Sequence, residues 1–289
     1  MPQKTDSDLE PGLYIVATPI GNMGDITLRA LDTLGKVDLI ACEDTREAGK
    51  LTTVYDIPAD KVPYHDHNAA EMIPKLVNAI AKGGRVALIS DAGMPLVSDP
   101  GYKLVEALVA ADLPVTCVPG ASASLTALVL SGLPTDRFMF AGFLPPKTVA
   151  RKAALTEVQA VPGTLIFYET APRLEDSLRD MAEILGNRRA AVARELTKKF
   201  EEVRRDTLQK LADHYKKNGA PKGEIVIIVE APQKDAAENW DDAAIDKLLA
   251  DMMKKEGMSV KDASGFVAAK SGRKKNDVYQ RALLLKNRK

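Results

Sequence analysis

The sequence predicts an α/β protein, with two α/β domains enclosing a cleft and then a small helical unit. Three observations carry this. From Leu13 to Leu130, short apolar runs alternate with helical stretches, the spacing of a parallel sheet with helices on its faces. After Gly132 the tempo changes, and a second set of strands and helices runs to Glu230. Beyond a polar segment at 232–239, apolar residues return at helical spacing: Ala244, Ile245, Leu248, Leu249 and Met252. The boundaries follow at 11–133, 134–232 and 240–289.

The elements follow in order. Residues 13–17 read as a strand ending in the turn Thr18-Pro19-Ile20-Gly21-Asn22, and Asp25 is expected to cap a helix over 26–34. A second strand over 37–41 runs into Glu43-Asp44-Thr45-Arg46 and a helix to about Val54. A polar bend carries His65-Asp66-His67-Asn68, and a helix is expected over 69–81. The apolar run at 85–89 is the third strand. It opens into Ser90-Asp91-Ala92-Gly93-Met94-Pro95-Leu96-Val97-Ser98-Asp99-Pro100-Gly101, a loop with two Gly, two Pro and two carboxylates before a helix over 102–113. That loop sits at the carboxyl end of a parallel strand, where open α/β sheets place their ligands. A fourth strand at 115–118 ends in Pro119-Gly120-Ala121-Ser122-Ala123 and an apolar helix to Leu130.

In the second domain, strands are expected over 137–144, 164–169, 190–196 and 224–230, with helices over 174–185 and 207–217. Pro145-Pro146-Lys147 reads as a linker. In the terminal unit, helix 241–255 is followed by Ser259-Val260-Lys261-Asp262, which resembles a capping box opening a helix through Ala269. Ser271-Gly272 ends it, and a last helix starts at Lys275 or Asn276. Two short helices joined by a tight turn resemble a helix-turn-helix.

Bulk properties exclude several classes. The 289 residues are 45% hydrophobic and 28% charged, ordinary for a globular protein with a real core. The formal net charge is +0, so any affinity for a polyanion has to come from a local patch. Such a patch exists: from Lys270 to Lys289 eight basic residues, Arg273, Lys274 and Lys275 among them, stand against Asp277 alone. It reads as either a solvated tail or a surface for phosphates. Cys42 and Cys117 lie in apolar runs, which suggests buried thiols in a reducing compartment. With His65, His67 and His214 they give no zinc spacing, so no metal is expected. No apolar run nears the ~20 residues of a membrane helix, and residues 1–10 carry no signal-peptide pattern. A cytoplasmic protein is expected. There is no Walker loop, no Gly-x-Gly-x-x-Gly and no Gly-x-Ser-x-Gly. The ligand implied is one that uses main-chain groups and carboxylates without a phosphate cradle.

Several motifs in order carry a family resemblance. They are Thr18-Pro19-Ile20-Gly21-Asn22, Cys42-Glu43-Asp44-Thr45-Arg46, the loop from Ser90 to Gly101, Pro119-Gly120-Ala121-Ser122-Ala123, Phe167-Tyr168-Glu169, Arg194-Glu195-Leu196-Thr197-Lys198 and Lys222-Gly223-Glu224. Together they resemble the tetrapyrrole-methylase superfamily of S-adenosylmethionine methyltransferases. Within it the chain is similar to the branch that 2′-O-methylates the ribose of a cytidine in the decoding centre of 16S ribosomal RNA. The resemblance implies S-adenosylmethionine folded in the cleft, against Pro19, Met94, Val97, Ser122, Ala123, Tyr168, Leu196 and Glu224. It also implies a homodimer, with apolar runs at 107–109 and 125–130 available for the interface, and a partner in 16S rRNA within the small ribosomal subunit. Asp99, Glu43 and Asp44 stand, unranked, as catalytic carboxylates. Arg46, Arg173 and Lys198 stand as RNA contacts with Arg273, Lys274 and Lys275. Two positions depart from the family pattern: Met94 replaces a threonine, and Pro172-Arg173 replaces a His-Arg pair. The rivals are a tetrapyrrole methyltransferase, which needs no basic appendage, and an RNA-binding protein without catalysis.

Overall fold

A computed structural model describes residues 9–232, 241–254 and 257–287. Residues 1–8, most of the polar segment at 232–239, Lys255 of the expected helix, Arg288, Lys289 and the side chain of Lys270 lie outside the described residues.

The first half is a doubly wound sheet. Its strands are β1 (Gly12–Val16), β2 (Leu39–Cys42), β3 (Asp60–Pro63), β4 (Arg85–Ile89) and β5 (Val115–Val118). They lie in the order β3-β2-β4-β1-β5 and are all parallel. The connecting helices are α1 (Leu28–Lys36), α2 (Thr45–Val54), α3 (Ala69–Ala81), α4 (Tyr102–Ala110) and α5 (Ala123–Ser131). Alternation along β4 divides the core. Val86 and Leu88 pack with Leu76, Ile80, Leu104 and Leu108 of α3 and α4. Ala87 and Ile89 pack with Ala30, Leu34, Ala48 and Leu51 of α1 and α2. Both faces are covered at the centre of the sheet, so the central strands read as unbroken apolar runs.

One strand was not expected, and two expectations need correcting here. Strand β3, with the sequence Asp-Lys-Val-Pro, offers one apolar residue and lies half-exposed at the sheet edge, so it carries no strand signal. Helix α1 is capped by Thr27, whose hydroxyl accepts from the Ala30 amide at 3.0 Å; Asp25 sits in a preceding 3-10 turn. Cys117 is exposed, because β5 is an edge strand and its outer residues lack a covering helix.

The second half has strands β6 (Phe138–Phe143), β7 (Thr164–Thr170), β8 (Arg189–Arg194), β9 (Glu202–Thr207) and β10 (Glu224–Val229), ordered β6-β7-β10-β8-β9. Only the β6–β7 pair is parallel. Helices α6 (Thr148–Val158), α7 (Leu174–Leu185) and α8 (Leu208–Asn218) cover one face through Leu155, Leu178, Met181 and Leu211. Helix α5 covers the other, with Ala127 and Leu128 against Ile166, Ala191, Val226 and Ile228. A helix of the first half thus roofs the second sheet. Helix α6 and strand β9 are both absent from the sequence reading. The first carries Arg151, which is buried and paired with buried Asp180 of α7 at 2.7 Å. The second, Glu-Val-Arg-Arg-Asp-Thr, is a charged edge strand.

The described residues form two compact units that divide between Ala231 and Pro232. The second contains α9 (Asp242–Lys254), α10 (Val260–Ser271) and α11 (Lys275–Asn287) around Ile245, Leu249, Ala263, Val267, Val278 and Ala282. Ser259 caps α10, its hydroxyl accepting from the Asp262 amide at 3.1 Å, and left-handed Gly272 ends it. Among the described residues no helix is long and apolar enough to cross a membrane.

Candidate active site

The loops at the carboxyl ends of β1, β2, β4 and β5 meet the ends of β7 and β10. An isolated antiparallel bridge ties the first and third of these loops: the Thr18 amide donates to the Gly93 carbonyl at 2.9 Å, and the Gly93 amide returns the bond at 3.1 Å. The β4 loop is tightly folded. Leu96 and Ser98 have φ of 71° and 69°, in the left-handed region that costs non-glycine residues energy. At Gly101 (φ 140°) a Cβ would lie 2.8 Å from Leu88 and 2.9 Å from Leu96, so only glycine closes the loop onto the core.

Between the two sheets lies a cavity of about 490 Å3, within the size range of small-molecule sites. Met94, Val97, Ser122, Ala123, Tyr168, Leu196 and Glu224, all expected contacts, line it. Pro19 does not; it lines a smaller cavity of about 240 Å3 that also holds Lys198 and shares Ile20, Asp91, Ala92 and Glu224 with the first.

Of the three carboxylates, Glu43 and Asp99 line the large cavity. Asp44 caps α2, accepting from the Arg46 amide at 2.8 Å and pairing with the Arg46 guanidinium at 2.6 Å. The Arg46 guanidinium beside it holds its carboxyl down at about 2. Asp99 behaves oppositely. Burial pushes its carboxyl from 3.8 up to about 6; the Ser90 hydroxyl beside it pulls the other way, and the charges of Glu43 and Asp91 add to the rise. Burial and Asp91 also raise Glu43, and burial raises Asp91. Like charges in a shared, partly dry space oppose ionisation, and such shifts gather at functional sites. The Tyr168 hydroxyl lies beside Ser124, and its pKa is raised, first by burial.

The expected RNA contacts are scattered. Arg46 is 87% exposed at the side chain. Lys198 is tied to Glu224 at 2.7 Å and Glu195 at 3.0 Å. Arg173 pairs with Glu169 at 3.2 Å and donates to the Leu144 carbonyl, so it braces the end of β6. Arg273, Lys274 and Lys275 lie at the turn between α10 and α11, in the other unit. The basic patch is smaller than its count, because Arg281 pairs with Asp242 at 2.6 Å and Asp246 at 2.8 Å.

Comparison with known proteins decides the family. The family model for tetrapyrrole (corrin/porphyrin) methylases matches residues 12–212. The chain belongs to the tetrapyrrole methylase family. A second model, for the RsmI C-terminal HTH domain, matches residues 240–286. A protein of Mesorhizobium japonicum named ribosomal RNA small subunit methyltransferase I is 51% identical over 280 residues, covering 96% of this chain and 94% of the relative. One of the same name from Erythrobacter litoralis is 51% identical over 278 residues, covering 96% of each. The chain is therefore a tetrapyrrole methylase of the small subunit methyltransferase I branch. The crystal structure of uroporphyrin-III C-methyltransferase from Thermus thermophilus complexed with S-adenyl homocysteine shares the fold. Its TM-score is 0.52 at 22% identity, over 75% of this chain and 96% of that one.

Among the cavity residues of this tetrapyrrole methylase that the sequence did not mark as site residues are Asp91, and Phe143 at the end of β6. Asp91 stood in the quoted loop, where its acceptance from the Asp44 amide at 3.2 Å could not be seen. Among the described residues, no group of His, Cys, Asp or Glu is placed to hold a metal ion.

Proposed function

We propose that the chain is an S-adenosylmethionine-dependent methyltransferase that 2′-O-methylates the ribose of a cytidine in the decoding centre of 16S rRNA. The observation that carries this is the cavity between the sheets, which Asp99 lines together with small and apolar residues. The donor's chemistry fits that wall. Met94, Val97 and Ile225 offer apolar surface, Ala123 and Gly223 leave main chain accessible, and Glu224 offers acceptors for an amino group or hydroxyls. Bound S-adenosylmethionine supplies a methyl that leaves its sulfonium with the bond pair staying on sulfur. What remains for the chain is alignment and one proton. Asp99 accepts the proton of the 2′-hydroxyl as that oxygen takes the methyl; its burial raises its basicity, and Glu43 and Asp91 add to it. Asp44, held as a cap, has no part in this.

The names of relatives 51% identical over nearly the whole chain favour RNA over a tetrapyrrole. Lys274 and Lys275 at the α10–α11 turn supply phosphate contacts. The working protein is a cytoplasmic homodimer, with Leu125 and Val129 one turn apart on α5 and 48% and 70% exposed as part of its interface. Purified protein given labelled S-adenosylmethionine should transfer methyl to small ribosomal subunits or naked 16S rRNA, at a ribose. Transfer to a uroporphyrin-type acceptor with none to RNA would overturn the reading.

A further inference from the structure

We propose that Phe143 is a stacking platform for the base of the target nucleotide, holding it so that its ribose faces Asp99. This rests on the function proposed above. The evidence begins with register. Along a regular strand, residues at odd spacing point to opposite faces, so Phe140 and Phe143 should diverge. The β6–β7 register shifts between them: Phe140 pairs with Ile166, but Gly142 pairs with Phe167 and Phe143 with Tyr168. Ala141 is the extra residue. Gly142, at φ 66°, takes the left-handed turn that the bulge needs. Ile166 and Tyr168 share a face, so the bulge puts Phe140 and Phe143 on that same face. Both rings make T-shaped contacts with Tyr168, with centroids 4.8 Å and 5.5 Å away.

The core has no need of this second ring. Phe140 already packs on Tyr168, and Phe143 stays 52% exposed while lining the cavity with Asp99. A ring that is half exposed with one T-shaped neighbour has a face left for another partner. Its position is held from two sides. Arg173 grips the carbonyl of the next residue, Leu144. A Cβ on Gly142 would sit 3.5 Å from Ser98 Oγ, so the bulge abuts the loop that carries Asp99. A strand irregularity beside an active site commonly re-aims one side chain.

The occupant follows from the chemistry. A ribose hydroxyl reaches a recessed carboxylate when its nucleotide leaves the RNA stack, and the base then loses its stacking partners. An aromatic ring at the rim replaces them, and single-stranded RNA is commonly read this way.

The test uses the full-length protein with small subunits lacking the modification. Phe143→Ala should lower kcat/KM for RNA about tenfold or more, the usual cost of losing one base–aromatic stack. Phe143→Leu, apolar but unable to stack, should be as poor. Phe143→Trp should stay within about threefold of the parent. Affinity for S-adenosylhomocysteine by calorimetry, and the sedimentation coefficient, should not change. Full activity of the Leu variant overturns the proposal. So does a matching loss of cofactor affinity, which would make the cofactor's adenine the occupant, or a change of oligomeric state, which would make it a second copy of the chain. If the parent protein itself methylates no RNA, the functional reading fails and the platform with it; an active parent with indifferent variants fails the platform alone.

Discussion

Asp99 is where function and stability part company. Its carboxyl in the fold titrates near 6, above the ordinary 3.8. In the proposed role of proton acceptor it must be ionised, so methyl transfer should fall as pH drops through about 6. For stability the sign reverses. The fold binds the proton more tightly than the unfolded chain, so this group favours folding at low pH, and that contribution is lost as pH rises through about 6. Asp99→Asn should therefore lose at least a hundredfold in rate at pH 8 yet melt at the same temperature or higher. Thermal scans at pH 5 and pH 8 beside a rate assay check both halves. A variant that melts clearly lower at pH 8 would mean that the carboxylate is a structural acceptor. The loop around Asp99 was legible in the sequence because Gly and Pro packed between a strand and a helix announce a ligand loop. The tuning of Asp99 was not, since its burial, and the approach of Glu43 from the end of β2, arise only once β2 lies beside β4.

At the scale of elements, legibility tracks burial. Buried strands β1, β4, β7 and β10 announce themselves as apolar runs. Edge strands β3 and β9 do not, because water covers one side of each and their residues are chosen for that. Helix α6 was missed for another reason: its inward face is anchored by Arg151, a residue that reads as surface. Removing one member of a buried pair leaves an uncompensated charge, so Arg151→Ala should cost about 3–5 kcal/mol, whereas Arg151→Met with Asp180→Leu should be close to neutral. Denaturant titrations of the three proteins decide it, and equal losses in both variants would count against the pair. In the C-terminal unit, Ser259→Ala should cost about 1 kcal/mol of that unit's stability through the lost cap. Calorimetry resolves this if the unit melts on its own. The β6 bulge was beyond reach, because Phe-Ala-Gly-Phe is compatible with either register and only the pairing with β7 chooses.

At the scale of the molecule, the proposed function assigns the cofactor to the first compact unit and part of the RNA affinity to the second. Deleting 241–289 should leave cofactor affinity unchanged by calorimetry, because every cavity residue lies before Ala231. The same deletion should weaken RNA binding and flatten its dependence on salt, since fewer counterions are released. Lys274→Glu with Lys275→Glu should do the same with the fold intact, whereas Arg281→Ala, which breaks the pairs with Asp242 and Asp246, should destabilise the unit. An unchanged salt slope in the charge-reversed protein would show the patch to be a solvated surface. Val129→Asp should convert the proposed dimer to a monomer in sedimentation.

Helix α5 has a consequence for how the protein breathes. It is wound on the first sheet's connectivity yet buries Ala127 and Leu128 under the second sheet. Swinging the halves apart about Gly132 would strip that apolar contact, so the halves do not act as two leaves of a hinge. In amide hydrogen exchange, the central amides of α5 and those of β10 should open together, at the free energy of global unfolding. The loops from Thr18 to Asn22 and from Ser90 to Gly101 should exchange far sooner. Ligand traffic would then pass through those loops, over a floor that stays shut.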